Sequence, residues 1–307
     1  MATYYVGVDV GGTTIKLGLF SDIGELLEKW EIPTRTEENG THVLPDIVDS
    51  IEEKRASRGG NIKGIGMGIP GPVTADGVVL KCANLGWGVF SVKNTLADLT
   101  GVGNVKVGND ANVAALGEMW KGGGRGYDSI VMVTLGTGVG GGIIQNGKIL
   151  TGSRGAGGEI GHIKVEMNET EACGCGNYGC LEQYASATGI VRMAKNGLPA
   201  DSCLAKADEL TAKEVFDGAR ASDAYCMEIV ERFGKYLGVA LSNVAHVMDP
   251  EAFVIGGGVS AAGEMILDVV KKYYEANAMY AIRDKKFRLA ELGNDAGIYG
   301  AVRMILF

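Results

Sequence analysis

The sequence writes one β-plan twice, and that repetition limits the folds open to it. Tyr4–Val10 is a β-rich run, Gly11-Gly12 make a turn, Ile15–Phe20 alternates, and Leu26–Ile32 reads as a third strand after Asp22–Gly24. Helical spacing from Val43 to about Ala56 and a buried-strand run at Ile62–Ile69 then complete a β-β-β-α-β order. From Ser129 the plan returns. Ser129–Leu135 is an apolar strand, Gly136–Gly142 a glycine turn, Ile143–Gln145 a strand, Asn146-Gly147 a type I′ hairpin turn and Lys148–Leu150 a further strand. Helices are expected over Leu181–Lys195, Thr211–Ser222, Ala224 to about Met248, Glu264–Ala276 and near Gly297–Ile305, with a strand at Ala252–Ile255. Two α/β lobes with glycine-rich turns facing one cleft are the economical expectation.

Composition narrows the class of function. Glycine accounts for 49 of the 307 residues, roughly twice the ~7% average, so close backbone approach and positive φ are in demand. Lys and Arg total 29 against 37 Asp and Glu, a net charge of −8, which argues against nucleic-acid or anionic-membrane partners. No apolar run approaches the ~18 residues of a membrane span, and the N-terminus lacks a signal pattern. A cytoplasmic protein is expected. Six cysteines in this length are not a disulfide framework, and three crowd together at Cys173, Cys175 and Cys180.

Asp9-Val10-Gly11-Gly12-Thr13-Thr14-Ile15-Lys16 sets a carboxylate at a strand end before glycines, hydroxyls and a lysine. Such a turn lets backbone N–H groups reach phosphate oxygens while the carboxylate organises Mg²⁺. A plain hairpin turn reads equally well. Leu135-Gly136-Thr137-Gly138-Val139-Gly140-Gly141-Gly142 contains G-x-G-x-x-G, but a hairpin follows it where the dinucleotide fingerprint needs a helix. A phosphate clamp between strands survives. Asp110, in Asn109-Asp110-Ala111-Asn112 between a strand at Val105–Val107 and a helix over Val113–Trp120, is either a helix cap or a general base. Glu159, His162 and Glu182 stand among glycines as candidates for holding a polyhydroxylated substrate. His162 with Cys173, Cys175 and Cys180 offers one nitrogen and three sulfurs, the closed set of structural Zn²⁺, with redox pairing or buried free thiols as alternatives. Cys82, Cys203 and Cys226 read as core cysteines, and His42 and His246 as structural.

Taken in order, Asp9-Val10-Gly11-Gly12-Thr13, Gly68-Ile69-Pro70-Gly71-Pro72, Asn109-Asp110-Ala111-Asn112, the second glycine loop, Gly158-Glu159-Ile160-Gly161-His162, the C-x-C-x-x-x-x-C cluster and Gly256-Gly257-Gly258 resemble the ROK family of sugar kinases over nearly the whole chain. The resemblance implies a two-lobed actin-like, ribonuclease H-like α/β fold with a duplicated β-meander and a central cleft. Residues 1–110, joined by a C-terminal helix at about 295–307, would form the small lobe, and 111–294 the large lobe with a zinc knuckle. It further implies that Gly11, Gly12, Thr13, Thr14, Lys16, Thr137 and Gly138 surround the ATP phosphates, that Gly256 and Gly257 lie near the nucleoside, and that Asp9 organises Mg²⁺. Gly71, Asn84, Asn109, Asp110, Glu159, His162 and Glu182 match sugar-binding positions, and Asp110 the catalytic base.

Within the family the chain is most similar to ATP-dependent glucokinases, acting on the 6-hydroxyl of glucose. Pro72 and the run Asn84-Leu85-Gly86-Trp87 favour glucose over N-acetylmannosamine. Fructose, allose and N-acetylhexosamine kinases of the family are the rivals, together with a non-catalytic sugar-responsive regulator. The regulators carry an added DNA-binding segment, for which a first glycine loop at residue 11 leaves no room. A homodimer is common in the family and expected here.

Overall fold

The structure is a computed structural model and describes residues 2–307. In chain order, β1 (Thr3–Val10), β2 (Thr14–Phe20) and β3 (Leu26–Pro33) form a meander, followed by the short α1 (Glu37–Gly40), α2 (Val43–Arg58) and β4 (Asn61–Ile69). The antiparallel pair β5 (Val78–Val79) and β6 (Phe90–Ser91), α3 (Val92–Thr100), β7 (Val105–Asn109) and α4 (Asp110–Lys121) come next. The plan then restarts with β8 (Ile130–Leu135), β9 (Val139–Gln145) and β10 (Lys148–Ile149). It continues through α5 (Glu182–Ala185), α6 (Ala187–Lys195), α7 (Ala212–Arg220), α8 (Ala224–Met248), β11 (Ala252–Gly256), α9 (Glu264–Asn277), β12 (Lys286–Leu289) and α10 (Ala296–Leu306).

The two five-stranded sheets have one topology. Their orders, β3-β2-β1-β4-β7 and β10-β9-β8-β11-β12, are the same arrangement written twice. In the first, β1 pairs antiparallel with β2 and parallel with β4, and β4 pairs parallel with β7. In the second, β11 lies parallel to both β8 and β12. The central strands are buried on both faces, as parallel strands covered by helices must be, whereas the edge strand β3 alternates partly buried and exposed residues. The duplicated meander expected from the sequence is therefore present.

The chain divides into two compact units: one comprises the chain up to Asp128 with Gly142–Gly158 and Glu291–Phe307, the other Ser129–Gly141 with Glu159–Ala290. In the first unit α10 lies almost on the backbone of β4. A Cβ at Gly66 would fall 1.8 Å from the Ala301 carbonyl oxygen, so only glycine permits this approach. That close packing brings the start of α10 to Asp9, and a Cβ at Gly297 would meet the Asp9 carboxyl carbon at 2.4 Å. No helix among the described residues is long and apolar enough to cross a membrane.

Three local expectations change. The helix expected over Leu181–Lys195 is broken: α5 ends at Ala185, and Ser186 in extended conformation caps α6 by accepting from Gly189 N–H. The glycine turn expected over Gly136–Gly142 ends early, because β9 begins at Val139 and runs straight through Gly140–Gly142. Cys203 is not a core cysteine but an exposed one, since it opens a 3-10 turn at the surface.

Candidate active site

In the first unit, antiparallel pairing sets Asp9 opposite Lys16 on neighbouring strands, with the Gly11-Gly12-Thr13 turn closing the β1–β2 corner. Gly11 N–H donates to the Thr14 carbonyl (3.0 Å), and the Thr34 hydroxyl to the Gly11 carbonyl (2.8 Å). Gly12 and Thr13 remain exposed at the tip. Asp9 is a carboxylate under pressure. Burial, reinforced by the charge of Asp110 and opposed by Lys16, pushes its pKa up to about 6.

This shift has a sign for stability. A carboxyl whose folded pKa exceeds its unfolded value favours the fold below the unfolded value, and that contribution is lost as the pH rises through about 6. Holding Asp9 ionised at neutral pH therefore strains the fold. Asp9→Asn should raise stability at pH 7.5 by about 3 kcal/mol, at 1.36 kcal/mol per pKa unit between 3.8 and about 6, while abolishing activity. The gain should shrink as the pH falls from 6 towards 4. Thermal melts of both proteins without magnesium from pH 7.5 to 4 check it, and a destabilised variant at pH 7.5 contradicts it.

At the β7–α4 junction the cap is Asn109, whose side-chain oxygen accepts from Asn112 N–H at 3.1 Å. Asp110 is the first residue of the helix, and its Oδ1 accepts from Asn109 Nδ2 (2.9 Å) and Ala111 N–H (2.8 Å). The capping role left open for Asp110 thus belongs to its neighbour. Asn109 Nδ2 also donates to the carbonyl of Gly71 (3.1 Å), a residue held at φ 91 against the Lys81 carbonyl. Asn84 sits nearby in sequence in a 3-10 turn, Ala83–Leu85, exposed. Asp9, the first glycine loop, Lys16, Gly71, Asn84, Asn109 and Asp110 all lie in the first unit.

The second unit carries the rest. His162 Nδ1 lies 3.9 Å from Cys173 Sγ, Cys175 Sγ 3.7 Å from Cys180 Sγ, and all four ligand atoms fall within 4.8 Å of one another. A tetrahedron with Zn–S bonds of about 2.3 Å has sulfur–sulfur edges of about 3.8 Å, so the donor set fits zinc. Positive φ at Gly176 and Gly179 makes the knuckle's sharp turns, and a Cβ at Gly179 would fall 1.8 Å from the Glu166 carbonyl oxygen. Glu159 precedes the 3-10 turn that carries His162, whose N–H donates to the Glu159 carbonyl.

Glu182 joins two of these features. Its Oε1 is 3.8 Å from Cys173 Sγ, while its Oε2 accepts from Val139 N–H at 3.0 Å. A Cβ at Gly138 would collide with that oxygen at 2.2 Å, which explains the glycine. Thr188 Oγ1 donates to the Thr137 carbonyl (2.7 Å) and Ala187 N–H to that of Gly136 (2.8 Å), tying the loop to the start of α6. Gly257, at φ 83, brings its backbone within contact of Leu135. Beside these loops a cavity of about 480 Å³ is lined by Thr137, Ala187, Ala212, Phe216, Gly258 and Val259, among others. Its α7 wall was not foreseen from sequence. Apolar residues at helical spacing read as core wherever they occur, and only the second glycine loop beside them marks these as a lining.

The ROK family model matches residues 5–306. The chain belongs to the ROK family. It is 46% identical to a glucokinase of Halalkalibacterium halodurans, over 97% of this chain and 93% of that one. Among solved structures it resembles a ROK hexokinase from Thermus thermophilus, with a TM-score of 0.83, 33% identity and coverage of 98% and 97%. It also resembles a ROK family glucokinase from Streptomyces griseus in complex with glucose and AMPPNP, with a TM-score of 0.73, 34% identity and coverage of 98% and 99%. The fold is thus the two-domain, actin-like ROK architecture.

Proposed function

We propose that this ROK protein is a sugar kinase that transfers the γ-phosphoryl group of ATP to the 6-hydroxyl of glucose, with Asp110 as general base. The observation that carries the reading is the Asp110 carboxylate, oriented by two donors at the start of α4 while Asn109 performs the capping. Its 46% identity to a glucokinase supports glucose as the acceptor.

In the reaction the 6-hydroxyl oxygen forms a bond to the γ-phosphorus, the bond from that phosphorus to the β–γ bridging oxygen breaks, and ADP departs. The hydroxyl proton passes to the Asp110 carboxylate, a contribution of ~10²–10⁴-fold for a positioned base. Phosphoryl transfer asks mainly for alignment and charge neutralisation. The turn at Gly11, Gly12, Thr13 and Thr14, with Lys16, Thr137 and Gly138, supplies N–H groups and positive charge to the phosphates, and Gly256 and Gly257 adjoin the nucleoside. Asp9 fits a Mg²⁺ ion, because a partly buried carboxylate whose charge is disfavoured by burial and by Asp110 gains from a cation. Mg²⁺ neutralises charge on the phosphates. Gly71, Asn84, Asn109, Glu159, His162 and Glu182 hold the sugar hydroxyls. His162, Cys173, Cys175 and Cys180 hold one structural Zn²⁺, which fixes their relative orientation. The family resemblance also leads us to read the chain as a homodimer.

ADP release measured across glucose, mannose, fructose, allose, N-acetylglucosamine and N-acetylmannosamine tests the acceptor. Glucose should give the highest kcat/KM, and a higher value for either N-acetylated sugar would move the protein to another specificity.

A further inference from the structure

A second pair of thiols lies apart from the zinc knuckle. Cys203 Sγ and Cys226 Sγ are 3.7 Å apart, in van der Waals contact, one exposed on the 3-10 turn Cys203–Lys206 and the other buried in the first turn of α8. Asp223 holds both cysteine backbones in place. Its Oδ2 accepts from Cys203 N–H (2.7 Å), its Oδ1 from Cys226 N–H (2.9 Å), and the Ser202 hydroxyl bonds to both oxygens. With the carboxylate so fully engaged, the trio of Cys203, Asp223 and Cys226 is a poor metal site, and the two sulfurs are left facing each other.

The pair packs directly on α7. A Cβ at Gly218 would meet Cys226 Sγ at 2.4 Å and Cys203 Sγ at 2.8 Å, so both sulfurs rest against the helix at that point. The adjacent α7 residues Phe216, Asp217 and Arg220 line the cavity of about 480 Å³ beside the second glycine loop. Movement of the sulfurs therefore reaches the cavity wall through one glycine.

We propose that Cys203 and Cys226 form a reversible thiol–disulfide site that alters the wall of the nucleotide pocket, an inference that rests on the kinase reading for the identity of that pocket. The oxidant class is a hydroperoxide. The exposed Cys203 thiolate attacks a peroxide oxygen, giving a sulfenic acid and hydroxide, which takes up the thiol's proton as water. The Cys226 sulfur then attacks Cys203 Sγ, the S–S bond forms, and the sulfenic oxygen leaves as a second water with the Cys226 proton. Overall two thiols and one H₂O₂ yield one disulfide and two H₂O. Burial pushes the Cys226 thiol up to about 12, which leaves Cys203 to react first. Bonding draws the sulfurs to about 2.05 Å, and α7 must adjust at Gly218 as they converge.

The test treats the reduced, zinc-loaded full chain with one equivalent of H₂O₂, removes the excess with catalase, alkylates and maps peptides by mass spectrometry. A Cys203–Cys226 linked peptide should appear and vanish with dithiothreitol. Calorimetry with a non-hydrolysable ATP analogue should show Kd at least threefold higher for the oxidised protein, with glucose affinity unchanged, and Cys203→Ser should show neither effect. Absence of the linked peptide, a linked protein with unchanged nucleotide Kd, or loss of one bound metal in Cys203→Ser overturns the inference. Failure of the reduced protein to bind nucleotide at all counts instead against the kinase reading, and the peptide map still decides whether the disulfide forms.

Discussion

Asp110→Asn should lower kcat at least 100-fold, within the ~10²–10⁴-fold range of general-base catalysis, while leaving glucose affinity within several-fold. The amide keeps the size of the carboxylate and one acceptor oxygen for Ala111 N–H, but it cannot take the proton of the 6-hydroxyl. The structure makes this substitution a clean test. Asn109, not Asp110, accepts from Asn112 N–H at the helix start, so α4 keeps its cap in the variant. Steady-state kinetics paired with a thermal melt separate the outcomes. A variant that melts normally and turns over at nearly the wild-type rate would remove Asp110 from the chemistry.

Cys175→Ala should release zinc, weaken glucose binding about tenfold or more and lower thermal stability together, in line with the 10–100-fold effects of groups that orient a site. The reason lies in how much the knuckle supports. His162 turns Nδ1 towards the cysteines, so the zinc we propose there would fix its tautomer and leave Nε2 free for the sugar. Glu182, two residues beyond Cys180, reaches Cys173 with one oxygen and the backbone of the second glycine loop with the other. Loss of the knuckle's shape therefore moves Glu182, which we propose holds the sugar, and the second glycine loop at once. Metal analysis of protein purified without added zinc, together with glucose titration of the variant, checks the prediction. A zinc-free wild type with full activity, or a variant with unchanged glucose affinity, contradicts it.

Much of this architecture was legible because it depends on local chemistry. Strand runs bounded by glycine turns, the Asn146-Gly147 hairpin with both residues at positive φ, and the Asp223-capped α8 over Ala224–Met248 all follow from short-range rules. What escaped depends on tertiary contacts. Ser186 breaks an otherwise helical run because its hydroxyl accepts from Gly189 N–H and Ala187 N–H bonds to Gly136, and neither bond can be read from periodicity. Gly140–Gly142 read as a turn but continue β9, since Gly142 is needed where the strand crosses the backbone of α4 near Ala111. The short β12 went unnoticed because four residues, Lys286–Leu289, carry too little alternation to stand out.

The site shows the same division. The four zinc-binding candidates were found by spacing and meet in space. Asp110 was singled out with two roles open, and one hydrogen bond, from Asn112 N–H to Asn109, gives the cap to Asn109 and leaves the base as our proposal for Asp110. The pairing of Cys203 with Cys226 could not be inferred from residues on either side of α7, and it was the packing against Gly218 that joined them.

The central claim, phosphoryl transfer from ATP to the 6-hydroxyl of glucose, is tested most directly by identifying the product. Glucose and ATP are supplied with the enzyme, ADP is quantified, and the sugar phosphate is read with glucose-6-phosphate dehydrogenase, which reports only the 6-phosphate. One NADPH for each ADP is the predicted result. ADP formed without NADPH, whether from transfer to another hydroxyl or from hydrolysis of ATP, would contradict the account.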